Sequence, residues 1–128
     1  MSEAATLTLV AITVLLVKHT IADFFLQNAY QHRNKGRYGH PGGLLHAFIH
    51  VGLTTPVFLV ITPSQTLAGV ILAGEFVIHY HIDWTKENVT AGNGWTPAQA
   101  AFWRALGVDQ LMHGLTYVAI VWVLLAIP

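Results

Sequence analysis

Apolar residues fall into four long runs along the chain, and short polar segments separate them. The runs cover about residues 4–26, 44–61, 65–84 and 106–127. An α-helix that crosses a membrane needs about 20 mainly apolar residues, and each run is close to that length. The pattern predicts an all-α fold, an up-down bundle of four transmembrane helices. It forms a single domain, residues 1–128, with helices over about 4–32, 43–61, 64–87 and 97–127.

Turn and capping residues lie between the runs. Gly36–Gly43 contains a proline and is predicted to be a loop, and Lys86–Gly94 is predicted to be a second, polar loop. Ser64 is suited to cap the third helix. The Thr96–Gln99 segment fits the start of the fourth helix, because threonine caps, proline suits the first turn and glutamine completes a capping box.

The composition is that of a membrane protein. Hydrophobic residues make up 54% of the chain and charged residues 9%, with a mean hydropathy of +0.54, whereas soluble domains carry about 25% charged residues. The formal net charge is zero, so no nucleic-acid partner is expected. The absence of cysteine excludes disulfides and thiolate-bound metals. Glu3 stands where a signal peptide carries basic residues, so the first run is predicted to be a retained helix.

All basic side chains lie at or near the two longer connections. They are Lys18, Arg33, Lys35, Arg37, Lys86 and Arg104. Loops rich in lysine and arginine stay on the cytoplasmic side of a membrane. We therefore expect the connections between helices 1 and 2 and between helices 3 and 4 to face the cytoplasm, with both termini outside.

Each predicted helix carries one pair of histidine or aspartate residues four positions apart. The pairs are His19 and Asp23, His46 and His50, His79 and Asp83, and Asp109 and His113. Residues four apart share one face of an α-helix, so each pair can point to the bundle axis. At a rise of ~1.5 Å per residue, four histidines (His19, His50, His79 and His113) fall about 18–22 Å from the outer helix ends. The other four residues fall about 24–28 Å deep, in the cytoplasmic half, which predicts two adjacent layers.

Eight such side chains inside a membrane favour a metal site. An ionised aspartate in the bilayer is costly and needs a partner, and two divalent cations would balance three carboxylates and one hydroxide. Imidazole and carboxylate ligands suit zinc, iron or manganese, and eight ligands are too many for one tetrahedral zinc. Two ions are expected, or one ion with a set of supporting residues. The alternative is a core held by hydrogen bonds alone.

Four further side chains lie near the predicted ligands. Glu75 is four residues before His79 and is either the catalytic base or a protonated acid packed against a neighbouring helix. Lys86 is either a contact for an anionic substrate or a lysine that extends its charge to the membrane surface. Gln27 and Gln110 are candidates for orienting a metal ligand or binding substrate.

The motifs also carry a family resemblance. In chain order they are His19-Thr-Ile-Ala-Asp23-Phe-Phe-Leu-Gln27, His46-Ala-Phe-Ile-His50, His79-Tyr-His-Ile-Asp83-Trp-Thr-Lys86 and Asp109-Gln-Leu-Met-His113. Together they resemble a family of small bacterial and phage membrane proteins, the domain of unknown function DUF3307, over almost the whole chain. The resemblance implies a bacterial inner-membrane protein and no established activity. The family is distantly similar to inner-membrane proteins described as metal-dependent hydrolases.

Three functional hypotheses follow. The first is a membrane-embedded, di-metal hydrolase acting on a lipid or lipid-linked phosphoester or ester, because a metal lowers the pKa of bound water to about 7. The second is a divalent-metal or proton-coupled permease, because intramembrane histidine and aspartate residues also mark ion pathways. So narrow a bundle would have to transport as a homo-oligomer. The third is a membrane di-iron oxidoreductase.

Overall fold

The computed structural model describes residues 1–127, and this part of the chain is all-helical. Five α-helices follow one another: α1 (Glu3–Ile21), α2 (Ala29–Asn34), α3 (Pro41–Gly52), α4 (Gln65–Gly92) and α5 (Ala100–Ala126). A π-helical turn, Ala22–Leu26, extends α1, and a 3₁₀ turn, Thr55–Leu59, follows α3. Three segments are long and apolar enough to cross a membrane: Glu3–Leu26, Pro41–Leu59 and Ala100–Ala126.

The pattern predicted one continuous helix to residue 32, and this prediction was wrong. After the π-helical turn the backbone becomes extended at Gln27. Asn28 then caps a new helix, because its side-chain oxygen accepts a hydrogen bond from the Gln31 N–H at 3.0 Å. The short helix α2 therefore starts in a new direction. Hydrophobic periodicity alone does not reveal such a break.

The second run also differs from its prediction at both ends. Helix α3 begins at Pro41, inside the predicted loop, because proline suits the first helical turn and His40 Nδ1 accepts a hydrogen bond from the Gly42 N–H at 3.0 Å. The α-helix ends at Gly52 rather than near residue 61. Pro56 has no N–H to continue the helical ladder, and the chain proceeds as the 3₁₀ turn.

Helix α4 begins as predicted, with Ser64 Oγ accepting a hydrogen bond from the Leu67 N–H at 3.2 Å. It continues to Gly92, although Lys86–Gly94 was predicted to be a loop. The residues there are polar but can still be helical, and Gly94, with φ of +63°, follows only after the helix has ended. The predicted start of the last helix at residue 97 was early by three residues. The Gln99 side chain does accept from the Thr96 N–H, at 2.9 Å, but this closes a turn before α5.

The interior has an apolar half and a polar half. The apolar core lies near the chain termini and consists of Ala11, Leu15, Val57, Ile71, Tyr117, Ile120, Val121 and Leu124. Large apolar side chains also cover the outside, among them Leu16, Phe24, Phe25, Leu59 and Trp122. A surface this apolar around an interior with many polar groups is the arrangement expected in a lipid environment.

Candidate metal centre

The structure brings all eight predicted ligands together in the polar half of the interior. We call them the His/Asp cluster: His19, Asp23, His46, His50, His79, Asp83, Asp109 and His113. Seven are buried, and the side chain of the eighth, Asp23, is 12% exposed. Asp23 lies on the π-helical turn, a feature often found at functional sites. Their role as ligands is a prediction taken up below.

Four imidazole rings of the cluster form a closed square. The ring centres of His50 and His79 are 3.8 Å apart, and those of His79 and His113 are 4.2 Å apart. His19 completes the square, 5.0 Å from His113 and 5.1 Å from His50. These four rings come from α1, α3, α4 and α5. They are the four histidines that helix geometry places at one depth.

Asp83 lies against three histidines. Its Oδ1 is 3.3 Å from His113 Nε2, and its Oδ2 is 3.2 Å from His46 Nε2 and 3.5 Å from His79 Nε2. Asp109 Oδ1 is more distant, 3.7 Å from His113 Nε2. One carboxylate thus joins side chains from α3, α4 and α5.

Asp23 plays the same part on the other side of the cluster. Its Oδ1 is 3.0 Å from His50 Nε2 and 3.2 Å from His46 Nε2, and its Oδ2 is 3.1 Å from His19 Nε2. His46 Nε2 is therefore equally close to Asp23 and Asp83. All five histidines direct Nε2 at a carboxylate oxygen.

The cluster contains two sets of three potential ligands that share no member. One set is His19, Asp23 and His50, and the other is Asp83, Asp109 and His113. Within each set the ligand atoms lie within 4.8 Å of one another. His46 and His79 lie in a further set with His50, and His46 is in contact with both aspartates. Each of the two sets therefore has enough closely spaced ligand atoms to hold one metal ion.

Several cluster atoms are buried without a hydrogen-bond partner. They are His46 Nε2, His50 Nδ1, His79 Nε2, Asp83 Oδ2 and Asp109 Oδ1, and of these only Asp83 Oδ2 has a lysine ammonium, Lys35 Nζ, within 3.1 Å. His46 Nδ1 lies 3.2 Å from Gln31 Oε1, and because that oxygen only accepts, Nδ1 carries a proton. A neutral His46 then presents the lone pair of Nε2 to two carboxylates. That contact is favourable only if a positive charge, a proton or a metal ion, lies among these atoms.

Polar side chains outside the cluster hold its members in place. Tyr117 Oη is 2.7 Å from His19 Nδ1, and Gln110 Oε1 is 3.0 Å from His19 Nε2. The Gln110 amide Nε2 donates to Asp109 Oδ2 at 3.0 Å. Gln27 Nε2 donates to the Asp23 backbone carbonyl at 3.3 Å. Residues that contact metal ligands in this way fix ring orientation and ligand basicity. Gln110 thus contacts two side chains of the cluster, whereas Gln27 contacts only the backbone of Asp23.

Two lysines, which the sequence analysis placed at or near the connection between the first two helices, lie inside the protein. Lys35 Nζ is 3.1 Å from Asp83 Oδ2. Lys18 Nζ pairs with Glu75 Oε1 and donates to the His50 carbonyl at 3.0 Å. The Glu75 carboxylate is therefore in an ion pair, because Lys18 contacts its Oε1. Its Oε2 is buried without a hydrogen-bond partner. Lys86 points to its neighbour Glu87.

The sequence reasoning missed Gln31, Lys35, Lys18 and Tyr117. A signal for most of them was the same four-residue spacing that identified the ligands. Tyr117 follows His113 by four, and the series His19, Asp23, Gln27, Gln31 and Lys35 advances by four at each step. Lys18 carried a different signal, a charge inside an apolar run, which in a membrane indicates a partner.

Comparison with known proteins identifies the family. The family described as "Protein of unknown function (DUF3307)" matches residues 11–127. The chain belongs to this family. The match covers every member of the His/Asp cluster and brings no activity with it. No curated protein and no solved structure matches the chain, so the likeness of DUF3307 to metal-dependent hydrolases is not shown.

Proposed function

We propose that this protein is a membrane-embedded hydrolase that binds two divalent transition-metal ions, zinc, iron or manganese, in the His/Asp cluster. The substrate is a lipid or lipid-linked ester or phosphoester. In this proposal α4 crosses the membrane together with the three more apolar segments, which completes a four-helix bundle around the site. Helix α4 is less apolar than these three segments because it carries much of the polar interior, including Glu75, His79 and Asp83.

One observation carries the proposal. Five Nε2 atoms converge on the carboxylates of Asp23 and Asp83. Among the buried atoms of the cluster, His46 Nε2, His79 Nε2 and Asp109 Oδ1 lack any hydrogen-bond partner. A core held by hydrogen bonds alone would pair these atoms, because an unpaired buried polar group costs roughly 1–3 kcal/mol. A proton on His46 would satisfy one ring nitrogen and leave His79 Nε2 and Asp109 Oδ1 unpaired. Two cations bound among these ligands would give each of them a positive partner.

The charges of the interior point the same way. The cluster holds three carboxylates, and Lys35 supplies one positive charge beside Asp83. The Lys18 charge is already paired with Glu75. Burying unpaired carboxylates in a membrane is costly, so protons or cations are needed to neutralise them, and two divalent ions would do so. Imidazole and carboxylate donors without sulfur suit zinc, iron or manganese.

A bound metal would supply Lewis acidity and water ionised near neutral pH. The chain's own residues would then position the ligands and move the proton. Gln27, Gln31, Gln110 and Tyr117 orient ligands through the contacts described above. Glu75 is the proposed base, because Lys18 stabilises its carboxylate while Oε2 is free to accept a proton. Lys86 is proposed to contact the substrate.

The fold favours an enzyme over a permease. The apolar core of α1, α4 and α5 closes the end of the bundle nearest the termini. Within residues 1–127 no line of polar side chains passes through that half, whereas a permeation path needs one. An oxidoreductase with two irons would use the same ligands, and the identity of the bound metal separates it from a hydrolase.

The proposed orientation places both termini outside and the basic connections in the cytoplasm of a bacterial inner membrane. Lys18 and Lys35 no longer support it, because both are paired in the interior. Arg33, Arg37 and Arg104 still do. Because the chain lacks cysteine, single cysteines introduced at residue 37 and at Ser64 can be labelled from each side. Labelling of residue 64 from the cytoplasm would reverse the orientation.

The test of function starts from metal content. Protein purified without an affinity tag of histidines should contain about two transition-metal ions per chain by elemental analysis. It should release water-soluble product from at least one member of a panel of lipid esters and lipid phosphates, and a chelator should stop this. Protein that holds no metal, cannot be loaded and is as stable with chelator as without it would refute the proposal. Ion flux through metal-loaded liposomes without any turnover would favour the permease.

A further inference from the structure

A groove between α4 and α5 leads from the outside of the protein to the His/Asp cluster. Its volume is about 810 Å³. Helix α4 contributes residues from Val77 to Val89, which at ~1.5 Å per residue gives a length of about 18 Å. Asp109 lines the groove and is also a member of the cluster. The groove is thus a lateral entrance to the candidate metal centre.

The two ends of the groove differ in polarity. At the end nearest the α4–α5 connection, the lining includes Lys86 and Arg104. At the other end it includes Val77, Ile78 and Met112, with His81 one helical turn further along α4. Asp109 lies between them, five residues or ~7.5 Å along α5 from Arg104. A molecule that fills the groove would have an anionic group at one end and a hydrocarbon chain at the other.

A second copy of the chain could also cover the groove, but it has almost no free acidic side chain to pair with the positive charge at the basic end. The ion pairs of lysine and arginine within residues 1–127 are Lys18–Glu75, Lys35–Asp83 and Lys86–Glu87, so Arg104, which is exposed, has none there. Of the six acids, three belong to the cluster and Glu75 and Glu87 are paired. Only Glu3 is left to approach from another copy, and it lies at the first turn of α1. A lipid phosphate would supply the missing charge.

We propose that the groove binds one anionic phospholipid. Its phosphate lies at Arg104 and Lys86, and one acyl chain lies along Val77, Ile78, Val108 and Met112. This arrangement places the bonds between the headgroup and the chain beside Asp109. The further step, that such a lipid is the substrate, rests on the proposed function. Binding itself does not require the metal.

The test uses the full chain in a neutral detergent. The probe is phosphatidylglycerol with a photoreactive diazirine in its acyl chain, and phosphatidylcholine with the same chain is the uncharged-headgroup comparison. Val108→Trp fills the groove, and Leu111→Trp is its control, because the two side chains are 60% and 58% exposed on the same helix and only Val108 lines the groove. Arg104→Gln removes the charge, and Arg33→Gln removes an exposed charge elsewhere.

The expected cross-links fall on groove residues of α4 and α5. Val108→Trp should lower their yield about fivefold or more, and Leu111→Trp should leave it unchanged. Arg104→Gln should reduce the preference for phosphatidylglycerol about fivefold, as expected for one basic residue near a lipid phosphate, and Arg33→Gln should not. Cross-links spread evenly over all exposed apolar faces would overturn the proposal.

Three other outcomes separate this proposal from the hydrolase. Groove cross-linking by protein that holds no metal, cannot be loaded with metal and is as stable with chelator as without it would support the lipid site and refute the hydrolase. Metal-dependent turnover that Val108→Trp leaves unchanged would support the hydrolase and overturn the groove as its entrance. A Val108→Trp variant that changes the oligomeric state and leaves cross-linking unchanged would show that copies of the chain meet at this face, which also overturns the lipid site.

Discussion

The two halves of the interior are built from the same helices and are held together differently. Near the termini, Leu15, Ile71 and Tyr117 pack in an apolar core. On the other side of Lys18 and Glu75, the space is filled by imidazole rings and carboxylates, with ring centres as close as 3.8 Å. The aliphatic side chains of the apolar half need only contact, and its one hydroxyl, Tyr117 Oη, is hydrogen-bonded to His19 Nδ1 of the polar half at 2.7 Å. The polar half contains atoms that contact alone does not satisfy.

The comparison shows where stability and chemistry lie. Lipid chains are as apolar as leucine, so packing rather than water exclusion holds the apolar half together within a membrane. The polar half is stable only if its charges are balanced. Changes in the first half should therefore alter stability without altering metal content. Changes in the second half should alter metal content first and stability as a consequence.

The largest effect is expected from the double substitution His79→Ala with Asp83→Ala. It removes the carboxylate that touches three histidines, together with one ring of the square. Metal affinity should fall by more than about 100-fold, since even supporting contacts to ligands are worth 10–100-fold. Elemental analysis after dialysis measures the change. His32→Ala, an exposed histidine, is the control, and full metal content in the double variant would contradict the assignment of the site.

Glu75 lies where the two halves meet, and Glu75→Gln should separate metal binding from turnover. The amide keeps the shape but cannot accept a proton, so turnover should fall about 10²–10⁴-fold with metal retained. Glu87→Gln, on the same helix beside Lys86, should leave both unchanged. Turnover equal to that of the parent would make Glu75 a packing acid, and the base would then be one of the aspartates.

The all-helical fold could be read from the sequence, because long apolar runs predict helices, and three of the four runs form segments long and apolar enough to cross a membrane. What could not be read depends on local hydrogen bonds and backbone chemistry. The chain breaks at Asn28, which caps α2, and it leaves the α-helix before Pro56. Helix α4 runs on through polar residues, because polarity alone does not end a helix. Helix α4 is not among the segments apolar enough to cross a membrane, because it carries much of the polar interior.

The cluster was predictable because a helix repeats its face about every four residues, so spacing reveals which side chains meet. The positions of the lysines were not. Lys35 follows α2 and reaches Asp83 only because the chain turns back after Gln27. Its basic charge was read as a sign of a cytoplasmic loop. Such long-range pairing depends on tertiary structure, which a pattern along the chain does not contain.

A smaller effect, confined to stability, is expected from Leu15→Ala. Leu15 is fully buried in the apolar core, so the substitution leaves a cavity and should lower the free energy of unfolding by about 2 kcal/mol or more. Leu16→Ala is the matched control, because its side chain is half exposed and loses little packing. Denaturation in detergent measures stability, and metal content should match the parent. Loss of metal in Leu15→Ala would show that the two halves are not independent.

The smallest effect is expected from Lys35→Met, at the edge of the polar half. The Lys35 ammonium lies 3.1 Å from Asp83 Oδ2 and competes with any cation for that oxygen. Its removal should strengthen metal binding by about 1–2 kcal/mol, roughly five- to thirtyfold. The metal-free protein should lose stability, because Asp83 then lacks its nearest positive charge. Lys35→Arg keeps the charge and should behave like the parent. Titration with a competing chelator measures the affinity.

If Lys35→Met weakens metal binding while Lys35→Arg preserves it, the ammonium supports the site rather than competing with the cation. The polar half then needs the positive charge of Lys35 as well as that of the metal.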